Sequence, residues 1–268
     1  MTALLWNGDA FAAAAGLPFT DRCARYGMGL FETVRVRDGR AERLSEHLAT
    51  LRAAASGCGF PDPAAALPAA WQALATLDPG RFGASPDAAG TLRIYLTAGD
   101  GAPSDPPTSP RLFLLFEPRP APSIPPPAFS LAPARRFAPP HPVGTKSANY
   151  WARIDLLNAA RADGYDEAIL ALPDGTICSA ALGNLFVRIG GRWLTPDLAS
   201  GCRPGTVRAW ILEKRLATES TLREPALDEA DAVCVTNSWI GIAPVTRIGN
   251  RALPDADNPW ILGFDALR

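Results

Sequence analysis

The sequence is poor in the residues that most often carry protein chemistry. It has two histidines, His47 and His141, and two methionines. Its basic residues are nearly all arginine, with Lys146 and Lys214 as the lysines. The five cysteines (Cys23, Cys58, Cys178, Cys202 and Cys234) are scattered, odd in number and free of metal-ligand spacing. That usage reads as reduced thiols in the cytoplasm, neither a disulfide framework nor a metal site. Histidine-based catalysis is thinly supplied. No basic or acidic block accompanies the net charge of −1, which argues against nucleic acid and anionic membrane as partners. No apolar run approaches the ~20 residues needed to span a bilayer. The opening Met1-Thr2-Ala3-Leu4-Leu5-Trp6-Asn7-Gly8 lacks the basic start of a signal peptide.

A 47% hydrophobic chain of 268 residues can build one large core or two smaller ones. The best boundary is the proline-dense stretch 119–128, since proline favours a stiff, extended path and cannot donate to a sheet. It separates a small N-terminal domain, 1–118, from a larger domain, 129–268. In the first, Leu30–Arg37 alternates as a strand into an Asp38-Gly39 hairpin, with Ala41–Leu44 as the return strand. Ser45 is placed to cap a helix from Glu46 to about Ser56, and Ala64–Leu77 reads as a second helix. Strands Thr91–Ala98 and Arg111–Glu117 flank a Pro/Asp-rich loop, Gly99–Pro110. In the second, Ser147–Asp163 has apolar positions at helical spacing, and Gly205–Leu216 forms a helix behind Pro204. Several strands are joined by hairpins, so the sheets should be largely antiparallel, the α+β pattern.

Lys146, in Gly144-Thr145-Lys146-Ser147-Ala148-Asn149-Tyr150, is the outstanding residue. Arginine keeps its proton near neutrality, whereas a desolvated lysine can lose it and attack a carbonyl. An ordinary solvated lysine is the bland alternative. Two features further along suit an anionic ligand. Gly205-Thr206-Val207 opens a helix, where free backbone amides gather. Thr236-Asn237-Ser238 ends a strand with three hydrogen-bonding side chains, although an Asn-Ser turn explains it equally well.

In order, Lys146-Ser147-Ala148-Asn149-Tyr150, Asp166-Glu167-Ala168, Asp174-Gly175, Asn184-Leu185-Phe186, Thr195-Pro196 and Gly205-Thr206-Val207-Arg208 resemble the fold-type-IV pyridoxal-phosphate enzymes. That family includes aminodeoxychorismate lyase, D-amino-acid transaminase and branched-chain transaminase. Upstream, Gly29-Leu30-Phe31-Glu32-Thr33 and Ser45-Glu46-His47-Leu48 are similar to its opening motifs, and Asn237-Ser238 through Val245 to its C-terminal turn. Length and linker position are nearest the lyase branch.

The resemblance implies an α+β fold: a small N-terminal α/β domain and a larger C-terminal domain with a mixed, β-barrel-like sheet and helices. It implies a homodimer acting on a small amino substrate. Lys146 would attach pyridoxal 5′-phosphate covalently and shuttle a substrate proton. The Thr206 and Val207 amides with Ser238 would hold the phosphate, and Tyr150 would lie near the ring hydroxyl. Tyr26, Phe31 and Thr33 would face the substrate, with Arg93 as a carboxylate partner. The leading activity is the release of pyruvate and 4-aminobenzoate. The alternatives are transamination of D- or branched-chain amino acids, and a homologue that keeps the fold only for binding.

Two positions depart from the family pattern. Ser179, five residues before Asn184, stands where the family has a glutamate against the pyridine nitrogen. A hydroxyl cannot hold that nitrogen protonated, so the electron sink is shallower and elimination is favoured over transamination. Thr50, three residues after His47, replaces an arginine that pairs with the phosphate, and its loss should loosen cofactor retention. Met28 replaces a common aspartate.

Overall fold

A computed structural model describes residues 1–77, 89–124, 126–139 and 144–254. His141 and Pro125 of the proline-dense stretch lie outside the described residues. The chain divides into two compact units, Met1–Ala121 with Thr145–Asn149, and Pro122–Gly144 with Tyr150–Arg268. The short segment carrying Lys146, expected within the larger domain, therefore belongs by its contacts to the first unit.

The first unit is built on a six-stranded sheet, every pair antiparallel. Its strands are β1 (Thr2–Trp6), β2 (Phe11–Ala13), β3 (Gly29–Arg37), β4 (Arg40–Ala41), β5 (Gly90–Thr97) and β6 (Arg111–Pro118), in the order β2-β1-β6-β5-β3-β4. Asp38 and Gly39 both take positive φ, 49° and 67°, which is the geometry the Asp-Gly hairpin demands. Leu30, Val34, Val36, Leu92, Ile94, Leu96, Leu112 and Leu114 fill one face and form the core with helices α2 (Leu44–Gly57) and α4 (Pro68–Ala75). Alternation along the strands puts Phe31, Thr33, Arg93, Tyr95 and Phe113 on the other face.

Two local expectations are corrected here. Ser45 is not the cap of α2: the helix begins at Leu44 behind Arg43, which is left-handed at φ 52° and gives no side-chain cap. Ser45 instead donates to Glu46 at 2.8 Å. The continuous helix expected over 64–77 is broken into α3 (Pro63–Ala66) and α4, because Pro68 has no N–H to continue the ladder.

The second unit contains a nine-stranded sheet in the order β12-β11-β10-β13-β14-β7-β8-β9, with β15 pairing β14. The strands are β7 (Phe129–Arg136), β8 (Glu167–Ala171), β9 (Ile177–Ala180), β10 (Asn184–Ile189), β11 (Arg192–Pro196), β12 (Thr218–Ser220), β13 (Ala232–Asn237), β14 (Gly241–Ile248) and β15 (Arg251–Ala252). It is mixed, not largely antiparallel: β7 runs parallel to β8 and to β14, and β11 parallel to β12. Helix α5 (Trp151–Ala162) makes the crossover that lets β7 and β8 run parallel. Pro133 sits inside β7 where the register with β8 shifts between Ala132 and Arg135, a place that tolerates a missing donor.

Helix α5 starts four residues later than its apolar spacing suggests. Residues before it are committed elsewhere: Ser147 bridges Leu30, the Phe31 N–H donates to the Lys146 carbonyl at 2.9 Å, and the Ala148 N–H to the Gly29 carbonyl at 2.8 Å. A backbone paired to a strand edge cannot also close helical bonds.

Candidate active site

In the first unit, Lys146 is half-buried, and its Nζ lies 4.2 Å from the centre of the Phe31 ring. Phe31 stacks on Tyr95 at 5.3 Å, and Tyr95 meets Phe113 at 6.1 Å. The amine thus stands over an aromatic floor on the sheet face away from the helical core. Thr33 and Arg93 are cross-strand partners on that same face. Arg93 already forms an ion pair with Glu117, so a substrate carboxylate would have to displace or share that partner. Tyr26 ends helix α1 (Arg22–Tyr26), is 43% exposed and is bonded at its hydroxyl by Arg25 at 2.6 Å. It does not join the Phe31 stack.

Two family-like residues are structural. Glu32 points to the helical side, where its carboxylate meets His47 Nδ1 at 2.7 Å with both side chains 2% exposed. This pair ties α2 to β3. The Gly99–Pro110 loop is pinned by Arg22, among the described residues the largest fully buried side chain and one the sequence did not single out. Its guanidinium donates to the carbonyls of Ala98, Gly99 (3.2 Å), Ala102 (3.4 Å), Asp105 (2.5 Å) and Pro106 (3.4 Å).

Thr50 lies on α2 and returns its hydroxyl to the Glu46 carbonyl at 2.9 Å. Arg52 cannot stand in for the missing arginine, since it is clamped by both carboxylate oxygens of Asp62, at 2.7 and 2.5 Å.

In the second unit, helix α6 (Thr206–Glu213) opens from Gly205, with no side-chain cap and no acidic residue in its first turn. A Cβ on Gly205 would fall 2.3 Å from Asn184 Oδ1, so only glycine lets the turn close against β10. Asn184 in turn donates to the Arg203 carbonyl at 2.8 Å and pairs across the sheet with Thr236. Thr236 is fully buried, and among the described residues its hydroxyl has no hydrogen-bond partner. A buried unsatisfied hydroxyl is costly unless a ligand completes it. Beside an uncapped helix start, that orphan fits an anion such as a phosphate ester. Thr236 belongs to the Thr236-Asn237-Ser238 strand end, where the family resemblance points to Ser238 instead. Asn237 is a turn residue: its Oδ1 accepts from Trp239 and Ile240 at 2.9 Å each.

Ser179, on β9, is buried and accepts a hydrogen bond from Arg153 Nη1 at 3.0 Å. Arg153 also donates to the carbonyls of Ala180 (3.2 Å) and Ala181 (3.4 Å) and lies 4.7 Å from the centre of the Phe137 ring. The Tyr150 hydroxyl reaches the Ala181 carbonyl at 3.5 Å. Glu167 holds the same turn from its amide side, accepting from Ala168 (2.8 Å), Ala181 (3.1 Å) and Leu182 (3.2 Å). Burial pushes its carboxyl above the usual range against those three bonds. Burial likewise raises the Cys202 thiol to about 11, which marks it as inert packing. Arg153 escaped the sequence reading because a charge in the first turn of an amphipathic helix looks like a solvated face.

An α+β chain with these two sheets has the fold of the fold-type-IV pyridoxal-phosphate enzymes. The profile of the family "Amino-transferase class IV" matches residues 29–248, and the chain belongs to that family of pyridoxal-phosphate-dependent enzymes. A 4-amino-4-deoxychorismate lyase from Pseudomonas aeruginosa superposes with a TM-score of 0.77 at 28% identity, covering 98% of this chain and 97% of that one. The Escherichia coli branched-chain amino acid aminotransferase gives a TM-score of 0.81 at 22% identity, covering 99% and 92%. In sequence, a probable branched-chain-amino-acid aminotransferase of Thermotoga maritima is 30% identical over 37% of this chain and 39% of its own length. Aminodeoxychorismate lyase of Bacillus subtilis is 30% identical over 37% of this chain and 34% of its own. The matched stretches thus span little more than a third of these two relatives. Among the described residues no helix is long and apolar enough to cross a membrane, and no cluster of His, Cys, Asp and Glu could hold a metal.

Proposed function

We propose that this chain is a pyridoxal-phosphate lyase of the 4-amino-4-deoxychorismate type, releasing pyruvate and 4-aminobenzoate. The carrying observation is Ser179, bonded by Arg153, at the position where the resemblance calls for a carboxylate. The similarity to the Pseudomonas aeruginosa lyase over nearly all of both chains supports the same branch.

The cofactor, when bound, supplies the sink for electrons released at the substrate carbon bearing the amine. The protein does the rest. Lys146 would hold it through its amine, the Thr206 and Val207 amides with Thr236 and Ser238 would receive its phosphate, and Tyr150 would lie near its ring hydroxyl. Lys146 would take the proton from the amine-bearing carbon. The enolpyruvyl oxygen leaves the neighbouring carbon, the ring becomes aromatic, and the enol takes a proton to become pyruvate. Phe31 and Thr33 would line the substrate side, with Tyr26 and Arg93 as further contacts. Aromatisation drives this reaction, so a shallow electron sink suffices. Transamination must store the electrons in the cofactor and has no such drive. The chain would act as a homodimer, as its family resemblance implies, and in the cytoplasm, as its scattered cysteines suggest.

The test is to supply 4-amino-4-deoxychorismate to the reconstituted protein and measure 4-aminobenzoate and pyruvate, beside transamination of D- and branched-chain amino acids. Equimolar products, lost in Lys146→Ala, are expected. Faster amino-group transfer to a 2-oxo acid would overturn the lyase reading.

A further inference from the structure

The grip on Ser179 has a consequence for the cofactor's ring. Arg153 is a permanent cation that only donates. Among the described residues it has no carboxylate partner; it meets the Ser179 hydroxyl oxygen, two main-chain carbonyls, the Phe137 ring and the Cys178 sulfur. With its oxygen engaged by a guanidinium, the Ser179 hydroxyl is polarised toward giving its own hydrogen. A hydroxyl that donates suits a nitrogen with a free lone pair. A protonated nitrogen would bring a second positive charge toward Arg153, and like charges disfavour protonation.

Resting on the cofactor reading above, we propose that Arg153 is a positioning residue that orients Ser179 as a donor to the pyridine nitrogen and keeps that nitrogen unprotonated at neutral pH. The other titratable groups on the elements packed about Ser179 do not offset this charge. Tyr150 bonds a carbonyl, and Glu167 is turned to three amides; the Cys178 sulfur is hydrogen-bonded with Ser179 and Arg153, but burial pushes its thiol up, so it brings no negative charge at neutral pH. Asp155, Arg161, Asp163 and Asp166 on the same elements are exposed. The usual carboxylate is therefore not merely missing. A cation acting through a hydroxyl replaces it, and the sign of the field at the ring nitrogen is reversed.

The experiment loads the full chain with pyridoxal phosphate carrying 15N at the ring nitrogen. Attachment is followed separately by the visible absorption band of the lysine-bound cofactor, which Lys146→Ala should abolish. The nitrogen's chemical shift then reports its protonation across a pH series. The wild-type nitrogen is expected in the unprotonated range at neutral pH. Removing a unit charge one hydroxyl away, at an effective dielectric near 20, should raise its protonation midpoint in Arg153→Gln by about one to two pH units. Arg153→Lys should restore the wild-type midpoint. Attachment with a protonated wild-type nitrogen, or an Arg153→Gln midpoint equal to wild type, overturns this inference and leaves the cofactor reading standing. Failure of the cofactor to attach overturns both. The wild-type measurement decides the matter even if Arg153→Gln folds poorly.

Discussion

The Lys146 amine stands directly over the Phe31 ring, 4.2 Å from its centre, and the two residues are also joined through the main chain. The strand bond fixes where the lysine begins and the ring fixes where it ends. Replacing Phe31 by Leu should remove the stack on Tyr95 and the cation–π contact, about 1–2 kcal/mol together. Urea unfolding of Phe31→Leu, Lys146→Met and the double variant measures the coupling, expected near 0.5–1 kcal/mol. A coupling of zero would show that the ring does not hold the amine.

Gly205→Ala probes the phosphate cradle. Its Cβ would meet Asn184 Oδ1, part of a side chain held by the Arg203 carbonyl. The clash should cost about 1–3 kcal/mol of stability and weaken cofactor binding roughly tenfold. Equilibrium dialysis against pyridoxal phosphate reads the second effect, and wild-type affinity would exclude this turn from the grip.

Arg22→Met tests the pin of the 99–106 loop. The substitution removes the guanidinium from a site that is 1% exposed; the Gly99, Ala102 and Pro106 carbonyls keep main-chain donors, whereas those of Ala98 and Asp105 lose theirs. A loss of about 2–4 kcal/mol is expected from the two carbonyls left unsatisfied. Denaturant titration measures the loss, and protease cleavage within the loop should quicken. A shift under 1 kcal/mol would mean that water takes over the carbonyls.

Asp100 gives an acid signature. Its hydrogen bonds to Arg111, at 2.8 and 2.6 Å, hold its carboxyl near 2, below the ordinary 3.8. A depressed folded value means the contribution is present above 3.8 and is lost as the pH falls toward 2. Thermal unfolding of Asp100→Asn should therefore fall less steeply than wild type across that window. Parallel curves would show the pair to be inert.

What the sequence disclosed depended on whether a residue's meaning is local. The Asp38-Gly39 turn and the alternation of β3 are local, and each has its structural counterpart. The start of α5 is not local: Ser147 and Ala148 are drawn to a strand more than a hundred residues earlier. The cap of α2 failed for a similar reason, since a serine at the right spacing competes with the turn that Arg43 makes. Arg153 and Thr236 could be weighed only when burial and partners were visible. One looks like a helix surface charge and the other like an ordinary strand threonine.

The position of β14 has a bearing on how the molecule is made. This late strand lies between β13 and β7, so before it emerges the hydrogen-bonded ladder is two separate pieces. One piece carries Thr236 and the other Ser179. A nascent chain halted before Gly241 would hold both halves of the cofactor grip yet lack the strand that zips them into one ladder. Long-range closure of this kind is slow. Cofactor capture should then trail synthesis of β14, and a truncation before it should abolish capture while leaving the first unit's sheet complete.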